Sequence, residues 1–127
     1  MVRRDFPPEP QAVPDARAAM EILRDMVPSE VFEDLRLMVS ELVTNSLRHA
    51  DLAPGDRISL TVRVEGPLIR VEVEDPGGGF VPPGRTETPF PTAGWGLVIV
   101  SELATAWGVH ADGSTKVWFE IDTRTDA

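Results

Sequence analysis

The sequence contains no cysteine. That excludes a disulfide framework and any thiolate metal site, and it fits a reducing cytoplasm. Two histidines, His49 and His110, are too few to build a zinc centre without cysteine. No apolar run approaches the roughly 20 residues of a bilayer span. The basic start, Met1-Val2-Arg3-Arg4, lacks the apolar stretch of a secretory signal. A membrane association is therefore not expected. The chain has no Gly-x-x-x-x-Gly-Lys phosphate loop, no six-residue dinucleotide fingerprint, no Gly-x-Ser-x-Gly elbow and no internal repeat. Positive charge is also scarce: 12 Lys and Arg stand against 21 Asp and Glu, a net charge of −9. Such a surface repels phosphate backbones, so direct nucleic-acid binding is not expected. An anionic ligand would have to be held by local dipoles and a metal ion. The acidity suits basic protein surfaces as partners.

What is present describes one globular domain spanning residues 1–127, with 42% hydrophobic residues. Two proline-rich stretches stand out, Phe6 to Pro14 and Phe80 to Thr92. The second lies between two motifs and reads as a functional loop. A first helix is expected from about Asp15, as N-cap, to Met26, with Ala16, Ala19, Met20 and Leu23 as its apolar stripe. A second is expected from Pro28-Ser29 to about Ala50. Its stripe is Val31, Leu35, Met38, Val39, Leu42 and Ser46, with Val43 alongside. Alternation in Ile58-Leu60-Val62-Val64 and Ile69-Val71-Val73 predicts two strands joined at Glu65-Gly66-Pro67. A third helix is expected from about Gly96 to Ala106. Two strands follow, Trp107 to Ala111 and Lys116 to Asp122, joined at Asp112-Gly113, and a short strand near Val2 to Phe6 is possible on the same grounds. The order predicts an α+β fold, a two-layer sandwich with helices on one face of a mixed, mainly antiparallel sheet.

Several polar residues interrupt this apolar plan. Glu41 and Asn45 lie one helical turn apart, with Arg48 and His49 beyond them. A Glu-x-x-x-Asn pair alone is an ordinary solvated helix face. Here asparagine, a poor helix-interior residue, adjoins core-type Leu42 and Val43. Asp75 shares strand parity with Ile69, Val71 and Val73, which turns it toward the helix layer, where a carboxylate needs a donor. An Asp-Pro step is also an ordinary turn. Gly77-Gly78-Gly79 allows a close backbone approach. Gly94-Trp95-Gly96-Leu97 precedes an apolar helical run, and free N–H groups at a helix start form an anion site. Thr115 shares parity with Val117, Phe119 and Ile121, so its hydroxyl faces the same layer.

Taken in order, these segments resemble the ATP-binding domain of the gyrase, heat-shock chaperone, histidine kinase and MutL superfamily. Glu41-Leu42-Val43-Thr44-Asn45-Ser46-Leu47-Arg48-His49-Ala50 is similar to its N box, Asp75-Pro76-Gly77-Gly78-Gly79-Phe80 to its G1 box, and Gly94-Trp95-Gly96-Leu97 to its G2 box. The resemblance covers nearly the whole chain and implies the Bergerat sandwich. It is closest to the small anti-sigma regulatory kinases of bacteria, an impression strengthened by Trp107-Gly108-Val109 and Thr115-Lys116-Val117-Trp118-Phe119-Glu120.

The resemblance implies ATP and Mg²⁺ as ligands, with Asn45 coordinating the metal and Glu41 acting as general base. It implies that Asp75 accepts a hydrogen bond from the adenine amino group, with Gly77 and Gly79 passing the base and Thr115 supporting it. Gly94, Gly96 and Leu97 would offer backbone N–H groups to the phosphates, and Arg48 and His49 match positions that approach phosphates in related kinases. Residues 80–93 would be the ATP lid. Its single arginine, Arg85, departs from more basic lids, and Trp95 is bulky for its place in the motif. The implied function is a cytoplasmic serine/threonine kinase that phosphorylates an anti-anti-sigma (STAS-type) protein and otherwise sequesters a sigma factor, as a homodimer. The alternative is a nucleotide-dependent protein-binding module with little or no transfer. A histidine kinase catalytic domain fits less well: no helical phosphoacceptor segment precedes the N box within these residues, and its first position is Glu. A serine acceptor needs a base more than a histidine does.

Overall fold

The computed structural model describes residues 1–49, 52–76, 95–111 and 113–124. Strand β1 is Val2–Phe6, helix α1 Ala12–Ala19, running into a 3₁₀ turn at Met20–Leu23, and helix α2 Ser29–His49. Then come β2 Ile58–Glu65, β3 Leu68–Asp75, α3 Trp95–Leu103, β4 Ala106–Ala111 and β5 Thr115–Asp122. The five strands form one sheet in the order β1-β2-β3-β5-β4.

Every described pairing in the sheet is antiparallel, which corrects the expectation of a mixed sheet. The connection from β3 through α3 to β4 would create a parallel neighbour, but it overshoots by one position. The hairpin partner β5 returns into the gap, antiparallel to both β3 and β4.

One sheet face carries Ile58, Leu60, Val62, Ile69, Val71, Val73, Val117, Phe119 and Ile121, all buried. The helix layer meets them with Val31, Leu35, Met38, Val39, Leu42 and Val43 of α2 and with Ala12, Ala16, Met20 and Leu23 before it. Full burial of such side chains contributes roughly 1.5–3 kcal/mol each, which is what holds the two layers together. Phe32 is also buried, although it lies off the expected α2 stripe. The guanidiniums of Arg24 and Arg36 cover its ring at 4.5 and 5.7 Å from the centroid, so aromatic and cation share one site.

Three helix boundaries differ from expectation. Helix α1 starts at Ala12, not Asp15, with Gln11 at the cap position, and Asp15 lies in its first turn, where it accepts a 3.0 Å hydrogen bond from Gln11 Nε2. Pro14 does not break the helix because a first-turn residue needs no N–H. The α-helical part ends at Ala19 and tightens into the 3₁₀ turn, short of the expected Met26. Helix α3 ends at Leu103, and Ala106, expected inside it, opens β4. There the Thr105 N–H donates to the Glu120 carbonyl at 2.8 Å, so the chain has already joined the sheet.

The β2–β3 hairpin turns in two residues between the paired Glu65 and Leu68, and Gly66 takes φ of 60° there, a conformation that glycine adopts without a Cβ penalty. The outer sheet face is polar. Arg70 bridges Glu72 and Glu120 at 2.9 Å each, Lys116 lies 3.6 Å from Glu72, and the Arg70 guanidinium stacks 4.2 Å over Trp118. No helix among the described residues is long and apolar enough to cross a membrane.

Candidate functional site

The buried polar side chains among the described residues are Asn45, Ser46, Asp75 and Thr115. They gather at one end of the sandwich. Asp75 is the last residue of β3 and pairs across the sheet with Thr115, the first residue of β5. Strand alternation turns both toward α2, because Ile69, Val71 and Val73 on one strand and Val117, Phe119 and Ile121 on the other share their face. Ser46 of α2 donates its hydroxyl proton to Asp75 Oδ2 at 2.7 Å, both residues being buried. Asn45 is the preceding residue of the same helix.

Burial of polar groups costs free energy unless each is bonded. The Asp75 carboxylate is satisfied in part by Ser46. Asn45 is not satisfied: its Nδ2 is buried and has no hydrogen-bond partner among the described residues. An orphaned buried amide costs roughly 1–3 kcal/mol, and a ligand that engages it recovers that cost. The two ends of the amide exchange by a half-turn about its terminal torsion, so the group can offer either nitrogen or oxygen to a ligand. An amide oxygen is a suitable ligand for a hard cation such as Mg²⁺.

Glu41 lies one turn before Asn45 on α2 and is half-buried. Arg48 is exposed on the last turn of the helix, and α2 extends as far as His49, whose side chain lies outside the description. Helix α3 begins at Trp95, placing the backbone of Gly96 and Leu97 in its first turn. First-turn N–H groups have no intrahelical acceptor, and they lie at the positive end of the helix dipole. Gly77, Gly79 and Gly94, together with residues 80–93, fall outside the described residues.

A depression of about 430 Å³ adjoins Asp75 and Pro76 and is lined also by Glu74, Ser114, Ser59 and Arg57. Asn45 is not part of that lining, so the depression flanks the buried polar group and does not contain it. A second cavity, of about 350 Å³, lies among Val31, Asp34, Leu103, Thr105 and Asp122, next to the opposite end of β5.

The sequence candidates are thus brought together in part. Asn45, Asp75 and Thr115 share the buried end, and Glu41 borders it. Arg48 stays on the surface. Ser46 has no role in the sequence reading beyond its place in the α2 stripe. Its signal was a hydroxyl in an otherwise apolar row, at a position facing the end of a strand that terminates in Asp.

A family model for histidine kinase-like ATPase domains matches residues 6–121. No curated protein matches the chain. Among solved structures, the histidine kinase domain of the blue-light activated kinase EL346 from Erythrobacter litoralis is 29% identical, with a TM-score of 0.61; the match covers 77% of this chain and 47% of that one. This chain therefore spans about half the length of that domain. The Acinetobacter baumannii histidine kinase AdeS, at 16% identity and a TM-score of 0.59, covers 98% of this chain and 69% of its own. The catalytic domain of histidine kinase ThkA, at 18% identity and a TM-score of 0.54, is matched over 97% of this chain and 98% of its own. The last two show the shared fold.

Proposed function

The chain belongs to the histidine kinase-like ATPase family, and from that membership we propose that it binds Mg-ATP and phosphorylates a serine or threonine of an anti-anti-sigma (STAS-type) partner. Without that transfer it holds a sigma factor. The observation that carries this reading is the unsatisfied buried amide of Asn45 with a half-buried carboxylate, Glu41, one turn away. One residue is suited to a metal, the other to a proton.

In this reading Asp75 accepts from the adenine amino group, with Thr115 beside it on β5. The N–H groups of the first turn of α3 receive the phosphates. Asn45 would hold Mg²⁺, which when bound would supply positive charge against the phosphates. Glu41 takes the proton from the acceptor hydroxyl as its oxygen bonds to the γ-phosphorus and ADP leaves. The regulator works as a homodimer in the cytoplasm.

A second reading has an observation of its own: the structure matched at 29% identity is a histidine kinase domain. In that case the acceptor is an imidazole, which needs a base less than a hydroxyl does, and Glu41 matters less to the transfer. A binding-only module transfers nothing.

Incubation with γ-labelled ATP, Mg²⁺ and candidate partners separates the three. Acid-stable label on a partner hydroxyl supports the serine/threonine kinase. Acid-labile label supports the histidine reading. ATP binding without transfer to any partner leaves the module.

A further inference from the structure

Serine hydroxyls inside helices ordinarily donate back to their own helix backbone. Ser40 of α2 does so, reaching the Arg36 carbonyl at 2.8 Å. Ser46, six residues on, does not. Its only proton goes across the layer interface to Asp75 Oδ2 at 2.7 Å. The bond joins α2 to the last residue of β3, both partners are buried, and 29 residues separate them in sequence. A donor fixed on a packed helix restricts rotation of the carboxylate about its terminal torsion, which is otherwise broad.

We propose that Ser46 is a positioning residue for base selection: it orients the Asp75 carboxylate so that an amino group at purine position 6 is accepted. This rests on the reading of the site as an adenine-nucleotide pocket. The nucleotide class favoured is a triphosphate whose base carries an exocyclic amine there. A base offering an oxygen at that position meets a carboxylate held in place, without the freedom to turn away. Because Ser46 follows Asn45, base reading and metal binding are also anchored on consecutive residues of one helix.

Purine riboside triphosphate, which is ATP without the 6-amino group, is the probe. Calorimetric affinities for it and for ATP are measured on the wild type, Ser46→Ala and Ser46→Cys. Cysteine keeps approximately the side-chain shape but donates weakly. The wild type is expected to prefer ATP, and both variants to lose roughly tenfold of that preference, about the worth of one net hydrogen bond. Their affinity for purine riboside triphosphate should stay within about twofold of the wild type, since that ligand never used the oriented carboxylate. If alanine at this position prevents folding, the cysteine variant carries the comparison.

A wild-type preference retained in Ser46→Cys assigns the residue to packing and overturns the proposal. So does an equal loss of affinity for both nucleotides. A wild type that does not bind ATP, or does not distinguish the two nucleotides, removes the adenine pocket itself, and the role of Ser46 falls with it.

Discussion

Asp75, closing β3, stands directly opposite Thr115, opening β5, and both are buried on the helix side of the sheet. Two polar residues at facing strand ends, covered by α2, make a polar floor in an otherwise apolar layer. In the nucleotide-binding reading this floor receives the base. Asp75→Asn should weaken ATP binding by about 1.5–3 kcal/mol, the value of a hydrogen bond to a charged group. GTP binding should not weaken. Isothermal titration checks both, and an unchanged ATP affinity removes Asp75 from the site.

Asn45 gives a prediction with opposite signs for stability and binding. Its buried Nδ2 has no hydrogen-bond partner among the described residues, so Asn45→Ala removes an unsatisfied group along with the side chain. The melting temperature of the ligand-free protein should not fall. The additional rise produced by Mg²⁺ together with ATP, over ATP alone, should disappear. Thermal melts of wild type and mutant, ligand-free, with ATP alone and with Mg²⁺ and ATP, test this. A mutant that retains the magnesium-dependent rise contradicts the assignment of Asn45 to the metal.

Gly108 and Trp118 test the outer face. They pair across β4 and β5, and a Cβ built on Gly108 would lie 2.7 Å from Trp118 Nε1 and 2.9 Å from two ring carbons. Gly108→Ala therefore has to displace an indole already stacked under Arg70. Overpacking of this kind costs about 1–3 kcal/mol. In a Trp118→Ala background the cost should vanish, which a double-mutant cycle by denaturant unfolding measures.

The same face sets an acid limit on stability. Burial raises the pKa of Glu72, but the hydrogen bond from Arg70 and the charges of Lys116, Arg70 and Arg63 outweigh it, and the carboxyl ends below its ordinary value of 4.5. A carboxyl depressed by folding contributes stability that is fully present above that ordinary value. The contribution is lost as pH falls through the lowered one. Glu72→Gln should consequently flatten the decline of stability below pH 4.5 and leave the slope near neutrality unchanged. Unfolding free energies measured across that range decide it.

Much of this architecture was legible because alternation and helical stripes are direct images of burial. Ile58, Leu60, Val62, Ile69, Val71, Val73, Val117, Phe119 and Ile121 all face the helices, and the same parity puts Asp75 and Thr115 inside. Other features depend on long-range pairing. Position in the sheet is not written in local periodicity, so the insertion of β5 between β3 and β4 was not legible. Pro14 ends a proline-rich stretch in the sequence, whereas in the fold it lies in the first turn of α1. Ser46 counted as one member of a stripe because its partner lies 29 residues away. The motif identity of Glu41 and Asn45 came from resemblance, whereas the burial of Asn45 and its missing partner came only from packing.

In the proposed reading Glu41 serves the transfer step and not the nucleotide. Single-turnover phosphorylation of a genuine partner by wild type and by Glu41→Ala tests it most directly, with ATP affinity and melting temperature measured in parallel. The account predicts a loss of about two to four decades in transfer rate, the usual contribution of a general base, with affinity and stability nearly unchanged. A helix-surface glutamate without a role predicts no change in any of the three, since alanine is the better helix former. Transfer at the wild-type rate in Glu41→Ala would contradict the account.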